Sequence, residues 1–97
     1  MSYNAIFAPE AEADLARLPP VVASFVLDEI ERLSTDPVGL GRRSHFPYLP
    51  GRQVFTTHIE QGAQRYVFNI LFRYAQDEQT LVILQIATQV LGERDDD

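Results

Sequence analysis

From Tyr66 to Tyr74 every second residue is aromatic or isoleucine: Tyr66, Phe68, Ile70, Phe72 and Tyr74. Alternate residues of a β-strand share one face, so this segment lays five large apolar side chains on one side of a sheet. Such a face has to be covered by another layer, and that requirement limits the architectures open to the chain. Arg65, Val67, Asn69, Leu71 and Arg73 take the opposite face. The period of two already runs through the segment before it. There Gln53, Phe55, Thr57 and Ile59 point one way, and Arg52, Val54, Thr56, His58 and Glu60 the other. Gln61-Gly62 is the expected tight turn between the two strands, with Glu60 opposite Ala63 and His58 facing Arg65. Gln76-Asp77-Glu78-Gln79 is a polar turn, and Thr80 to Thr88 reads as a last, deeply buried strand.

The covering layer has to come from the first third. Pro9 suits the first turn of a helix, and Glu10, Glu12 and Asp14 follow where the helix dipole favours carboxylates. Ala11, Leu15 and Leu18 give this helix one apolar face. Pro19-Pro20 ends it and begins another, in which Val22, Phe25, Val26, Ile30 and Leu33 form the strongest helical stripe of the chain. Asp36-Pro37 stops the second helix. Tyr3 to Phe7 reads as a short first strand, and Val38 to Gly51 as one long loop. The fold class is α+β, with element order β-α-α-β-β-β and a helical hairpin packed on the aromatic face of a mostly antiparallel sheet. Residues 1–90 form a single domain and 91–97 an acidic tail.

This arrangement leaves the other face open. It carries Arg52, His58, Arg65, Asn69 and Arg73 among Val54, Val67, Leu71, Leu81 and Ile83. Polar residues mixed with that many aliphatics suit a covered surface, either a partner site or a homo-oligomer contact.

Charge divides the 97 residues unevenly. Residues 1–36 hold seven acids and two Arg, residues 37–90 three acids and five Arg, and residues 91–97 four acids and one Arg. The net charge of −6 argues against a nucleic-acid partner, yet the middle is locally basic, with Arg as its only cation. No Lys and no Cys occur, so thiol catalysis, thiolate metal sites and lysine chemistry have no residues to use. Met1-Ser2-Tyr3-Asn4 has no basic region, and no apolar run approaches the ~20 residues of a membrane span. A soluble, cytoplasmic protein without a membrane partner is expected.

The run Ala11-x-x-Asp14-Leu15-x-x-Leu18-Pro19, followed by Ile30-x-x-Leu33-x-x-Asp36-Pro37, resembles the N-terminal half of the RelE/ParE toxin superfamily. Phe68-Asn69-Ile70-Leu71-Phe72-Arg73, a polar turn and Leu81-Val82-Ile83-Leu84-Gln85-Ile86 are similar to its C-terminal hairpin. The resemblance spans residues 3–89 and implies a plasmid-stabilisation type toxin of a bacterial type II toxin–antitoxin system, neutralised by a cognate antitoxin. Its RelE-like members cut messenger RNA in the ribosome, and its ParE-like members inhibit DNA gyrase. Here Asn69 stands where the family usually has an Arg that holds a phosphate, and Ala87-Thr88-Gln89 stands where many members end with His or Arg. The Lys pair of active RelE-type ribonucleases has no counterpart.

Metal-independent RNA cleavage needs a base for the ribose hydroxyl, an acid for the leaving oxygen and a cation for the phosphorane. His58, Glu60 and Arg65 are the candidates, and a one-residue slip of register would part them. Arg42, Arg43, Arg52, Asn69 and Arg73 are candidates for holding phosphate or a target, with Arg42-Arg43-Ser44-His45 read as a basic loop tip or a solvated one. Phe46 and Tyr48 suit stacking on a base or plugging the loop onto the core. Val54, Val67, Leu71 and Ile83 are the candidate antitoxin contacts. No metal site or cofactor is expected from two His thirteen residues apart. Three functions follow: a toxin acting through antitoxin and target binding, with gyrase favoured as target; a ribosome-dependent endoribonuclease with a rebuilt site; or a non-toxic oligomerising relative.

Overall fold

The computed structural model describes residues 2–43 and 51–91. Strand β1 (Asn4–Phe7) leads into helix α1 (Pro9–Ala16) and helix α2 (Pro20–Thr35). Both helices carry proline at the N-terminal turn, where the missing N–H leaves no bond unmade. A one-turn helix α3 (Pro37–Leu40) and a two-residue strand β2 (Arg42–Arg43) follow, then β3 (Gln53–Gln61), β4 (Gln64–Tyr74) and β5 (Thr80–Val90). The sheet runs β1-β5-β4-β3-β2, antiparallel throughout except for the β1–β5 pair. The expected α+β architecture is thus present.

The expected long loop after Pro37 holds structure. Asp36 ends α2, and its carboxylate accepts the Gly39 N–H at 3.0 Å, which starts α3. Gly41 then lets the chain pass the end of the core, since a Cβ there would lie 2.7 Å from the Phe72 ring. Arg42 and Arg43 pair with Val54 and Gln53 as β2, so Arg42 is a strand residue and not part of a loop tip. Ser44, His45, Phe46 and Tyr48 lie outside the described residues, as does the tail from residue 92.

The helical hairpin covers the aromatic face as the period change predicts. Ala11 of α1 and Val22, Val26, Ile30 and Leu33 of α2 are buried against Phe55, Tyr66, Phe68, Ile70, Phe72, Leu81 and Ile83. Phe68 is fully enclosed, with the Phe25 ring 6.1 Å away and the Tyr66 ring stacked at 6.0 Å. Area removed from water at this interface is the main source of stability, at roughly 25 cal/mol per Å² of apolar surface. Glu29 adds a polar tie between layers. Its carboxylate accepts the Thr57 hydroxyl at 2.8 Å and the Arg32 guanidinium at 2.9 Å, and the latter lies over the Phe55 ring. The Arg32 hydrogen bond, aided by Thr57 and opposed by burial, holds Glu29 below the usual carboxylate range.

Two details of the sheet depart from strict alternation. The turn between β3 and β4 is Gly62-Ala63, flanked by the Gln61–Gln64 pair, and not Gln61-Gly62. Gly62 has φ +62°, the conformation the first central residue of a tight hairpin turn needs and glycine adopts freely. The second departure is a β-bulge between β4 and β5. Leu71 pairs with Gln85 but Phe72 pairs with Ile83, which leaves Leu84 as the extra residue. No helix among the described residues is long and apolar enough to cross a membrane.

Candidate functional site

Cross-strand partners share a face, so the pairing lists assemble the open side of the sheet row by row. Glu60 and Arg65 form the row nearest the turn. His58, Val67 and Gln89 make the next, and Thr56, Asn69 and Ala87 the one after. Arg42, Val54, Leu71 and Gln85 follow, and Arg73, Val82 and Ile6 close the series on the far side of the bulge. Arg52 sits half-buried just before β3 begins. The helices lie on the other side of the sheet, and at the far end of this face Val82 is buried.

The structure brings most of the expected residues together here. Val54, Val67 and Leu71 are half-buried neighbours on adjacent strands. Arg42, Asn69 and Arg73 share their face, whereas Arg43 pairs with Gln53 in the next row. Ile83 does not belong. It is fully buried under the helices, as is Leu81, because the bulge shifts β5 by one residue and a one-residue shift turns every side chain over. Val82, paired with Arg73, takes the place expected for Ile83 on the open face.

The turn position also changes the candidate catalytic group. Arg65 faces Glu60, not His58, and the two form an ion pair of 3.1 Å between exposed side chains. His58 faces Val67 and lies diagonal to Arg65. The three residues keep one face, since the turn moves each partner by two positions. However, the cation and the carboxylate neutralise one another, and an exposed pair of this kind is screened by water. Asn69 is held differently. Its side-chain oxygen accepts the Thr56 hydroxyl at 2.6 Å, which leaves the amide N–H groups to donate outward. Arg73 reaches back to the Tyr74 carbonyl at a long 3.4 Å, so its guanidinium is loosely held.

The role of Asp14 was not legible as a helix-start charge. From α1 its carboxylate accepts the Ile86 N–H at 2.9 Å, beyond the point where β1 ends, and also pairs with Arg17 at 3.1 Å. It therefore closes the edge of β5 just past the bulge. Among the described residues no three of His, Asp and Glu converge as metal ligands.

No protein-family model and no curated protein matches the sequence. Solved structures do match the fold. A chain of the RelBE2 toxin–antitoxin complex from Mycobacterium tuberculosis is similar over 92% of this chain and 100% of its own, with a TM-score of 0.69 and 24% identity. A mutant of the E. coli toxin RelE in the free state is similar over 96% of this chain and 84% of its own, with a TM-score of 0.63 and 11% identity. A chain of the intact E. coli RelBE complex gives a TM-score of 0.59 at 10% identity, covering 97% and 99%. The chain has the fold of the RelE toxins.

Proposed function

We propose that the chain is the toxin-like member of a type II toxin–antitoxin pair, acting in the cytoplasm by binding an antitoxin and a cellular target through the open sheet face. The end-to-end correspondence with chains of toxin–antitoxin complexes carries this reading. The half-buried aliphatic centre of Val54, Val67 and Leu71, rimmed by Arg42, Arg73 and Arg65, has the make-up of a protein contact: an apolar middle with charged groups around it. Gyrase is favoured over messenger RNA as target. Stabilising a phosphorane takes a fixed cation, and the one positioned group at the centre of the face, Asn69, is neutral.

A second reading rests on one observation, that His58, Glu60 and Arg65 share the turn end of the face. It is a rebuilt ribonuclease in which substrate phosphate displaces Glu60 from Arg65. Co-purification separates the contact surface from the fold. Leu71→Glu should abolish capture of the cognate antitoxin while the circular dichroism spectrum and melting transition stay those of the wild type. Unchanged capture would place the antitoxin elsewhere and overturn the assignment of the open face.

A further inference from the structure

We propose that the free edge of β1, with the cleft beside it, is a docking surface for an extended basic segment of a partner protein, which joins the sheet as a further strand. The surface meets the open face only at Ile6, and the inference does not depend on the toxin reading. Among the described residues β1 pairs only with β5. The Asn4 and Ala8 N–H groups point inward, to the Gln79 and Ile83 carbonyls at 3.0 and 2.9 Å, so Tyr3, Ala5 and Phe7 turn theirs outward. Tyr3 N–H is taken by the Ser34 carbonyl at 2.9 Å, and among the described residues Ala5 and Phe7 have no partner on that side.

β2 covers the edge of β3 at Gln53 and Val54, and α1 meets the edge of β5 at Ile86 through Asp14, whereas β1 is the edge that runs beside a helix-lined cleft. β1 has no charge, proline or bulge along Asn4-Ala5-Ile6-Phe7. Apolar side chains flank its edge on both faces: Ile6, 53% exposed, on the open side, and Leu27, 43% exposed, on the helix side. Between β1 and α2 lies a cleft of about 350 Å³, to which Ala5 and Phe7 contribute one wall and Leu27, Ile30 and Glu31 the other. Strand addition supplies affinity through main-chain bonds and selectivity through alternate side chains, and a strand edge beside a cleft offers both.

Charge selects the occupant. Glu31 lines the cleft and Asp28 is exposed on the same helix, whereas Arg17 and Arg32 are paired with Asp14 and Glu29. Tyr3 also borders a second cleft of about 330 Å³ with Val38, Tyr74 and Glu78. There the Tyr3 and Tyr74 rings stand 5.9 Å apart at 60°, two aromatic walls beside a carboxylate. Burial above all, with Tyr3 and the Asp36 carboxylate, holds the Tyr74 phenol above its usual range, so the ring is a neutral wall of the corner. A Lys or Arg side chain fits such a corner by cation–π contact. A second copy of this chain is disfavoured, because edge-to-edge pairing would set the same carboxylates against one another.

The test is a titration of the ¹⁵N-labelled protein at low salt with the peptide acetyl-Val-Arg-Val-Lys-Val-amide, against its twin with Glu at both charged positions. Ala5 and Phe7 amides should shift and exchange more slowly, and the basic peptide should bind at least about tenfold more tightly than the acidic one. N-methylation of alternate peptide nitrogens should abolish binding. Glu31→Gln and Glu78→Gln, both at exposed positions, should each weaken it about two- to fivefold. Equal binding of the two peptides, shifts confined to the open face, or no shift at millimolar peptide would overturn the proposal. So would protection of Ala5 and Phe7 that rises with protein concentration alone.

Discussion

Removing the Asp14 carboxylate probes the contact that closes β5, and its cost can be worked from the structure. Asp14→Ala deletes two interactions, the acceptor for Ile86 N–H and the ion pair with Arg17. The second is worth little: the Arg17 side chain is 75% exposed, and such pairs contribute about 0–1 kcal/mol. The first is different. Asp14 is only 13% exposed, and a buried donor left without a partner costs about 1–3 kcal/mol. We therefore expect Asp14→Ala to lose about 2 kcal/mol, a fall in Tm of about 8–16 °C for a domain this size. Arg17→Ala should lose less than about 0.5 kcal/mol. Asp14→Asn keeps an oxygen that can accept the bond and should fall between the two. Urea unfolding of the three variants gives the energies, and hydrogen exchange at Ile86 locates them. Equal losses for Asp14→Ala and Arg17→Ala, or an Ile86 amide as protected in the alanine variant as in the wild type, would refute the edge-closing role.

Phe68→Ala should destabilise by about 3–5 kcal/mol in the same urea assay, since the ring is fully enclosed between Phe25 and Tyr66. A small loss would mean that the helices do not cover this face. Glu29 should make stability depend on pH on the acid side. Its folded pKa is depressed, so its contribution is complete above the ordinary carboxylate range and is lost as pH falls through the lowered value. Stability curves for wild type and Glu29→Gln should accordingly be separated near neutrality and converge in acid; parallel curves would show that the Arg32 and Thr57 bonds do not favour the ionised form.

The parts of the fold that were legible in the sequence share a physical cause. The aromatic alternation of Tyr66–Tyr74 and the stripe from Val22 to Leu33 each state a period and a buried face, and the two faces meet as expected. A turn at Gly62-Ala63 in place of Gln61-Gly62 moves each cross-strand partner by two residues, so parity and the face of every side chain stay the same. The bulge does change parity. Leu81-Val82-Ile83-Leu84 is apolar at every position, so the run contains no alternation from which a change of parity could be read. Alternation counted without the bulge therefore puts Ile83 on the open face, where the structure has Val82, while Val54, Val67 and Leu71, set among polar residues, lie on the face their alternation indicates. Asp14 illustrates a further limit. Its partner lies 72 residues away, and a carboxylate in the first turns of a helix looks the same whether or not a strand edge passes near it.

Messenger cleavage on translating ribosomes tests the central claim most directly, because it separates a face that binds from a face that cuts. Purified protein is added to a translation extract and messenger ends are mapped by primer extension. The wild type should give no cleavage above background, since Asn69 offers a neutral donor where a fixed cation is required and Arg65 is paired with Glu60. Loss of such a stabilising group typically slows a reaction by about 10²–10³-fold. Asn69→Arg should raise cleavage above that background. Strong wild-type cleavage that disappears in His58→Ala or Arg65→Ala would contradict the account and establish the rebuilt ribonuclease in its place.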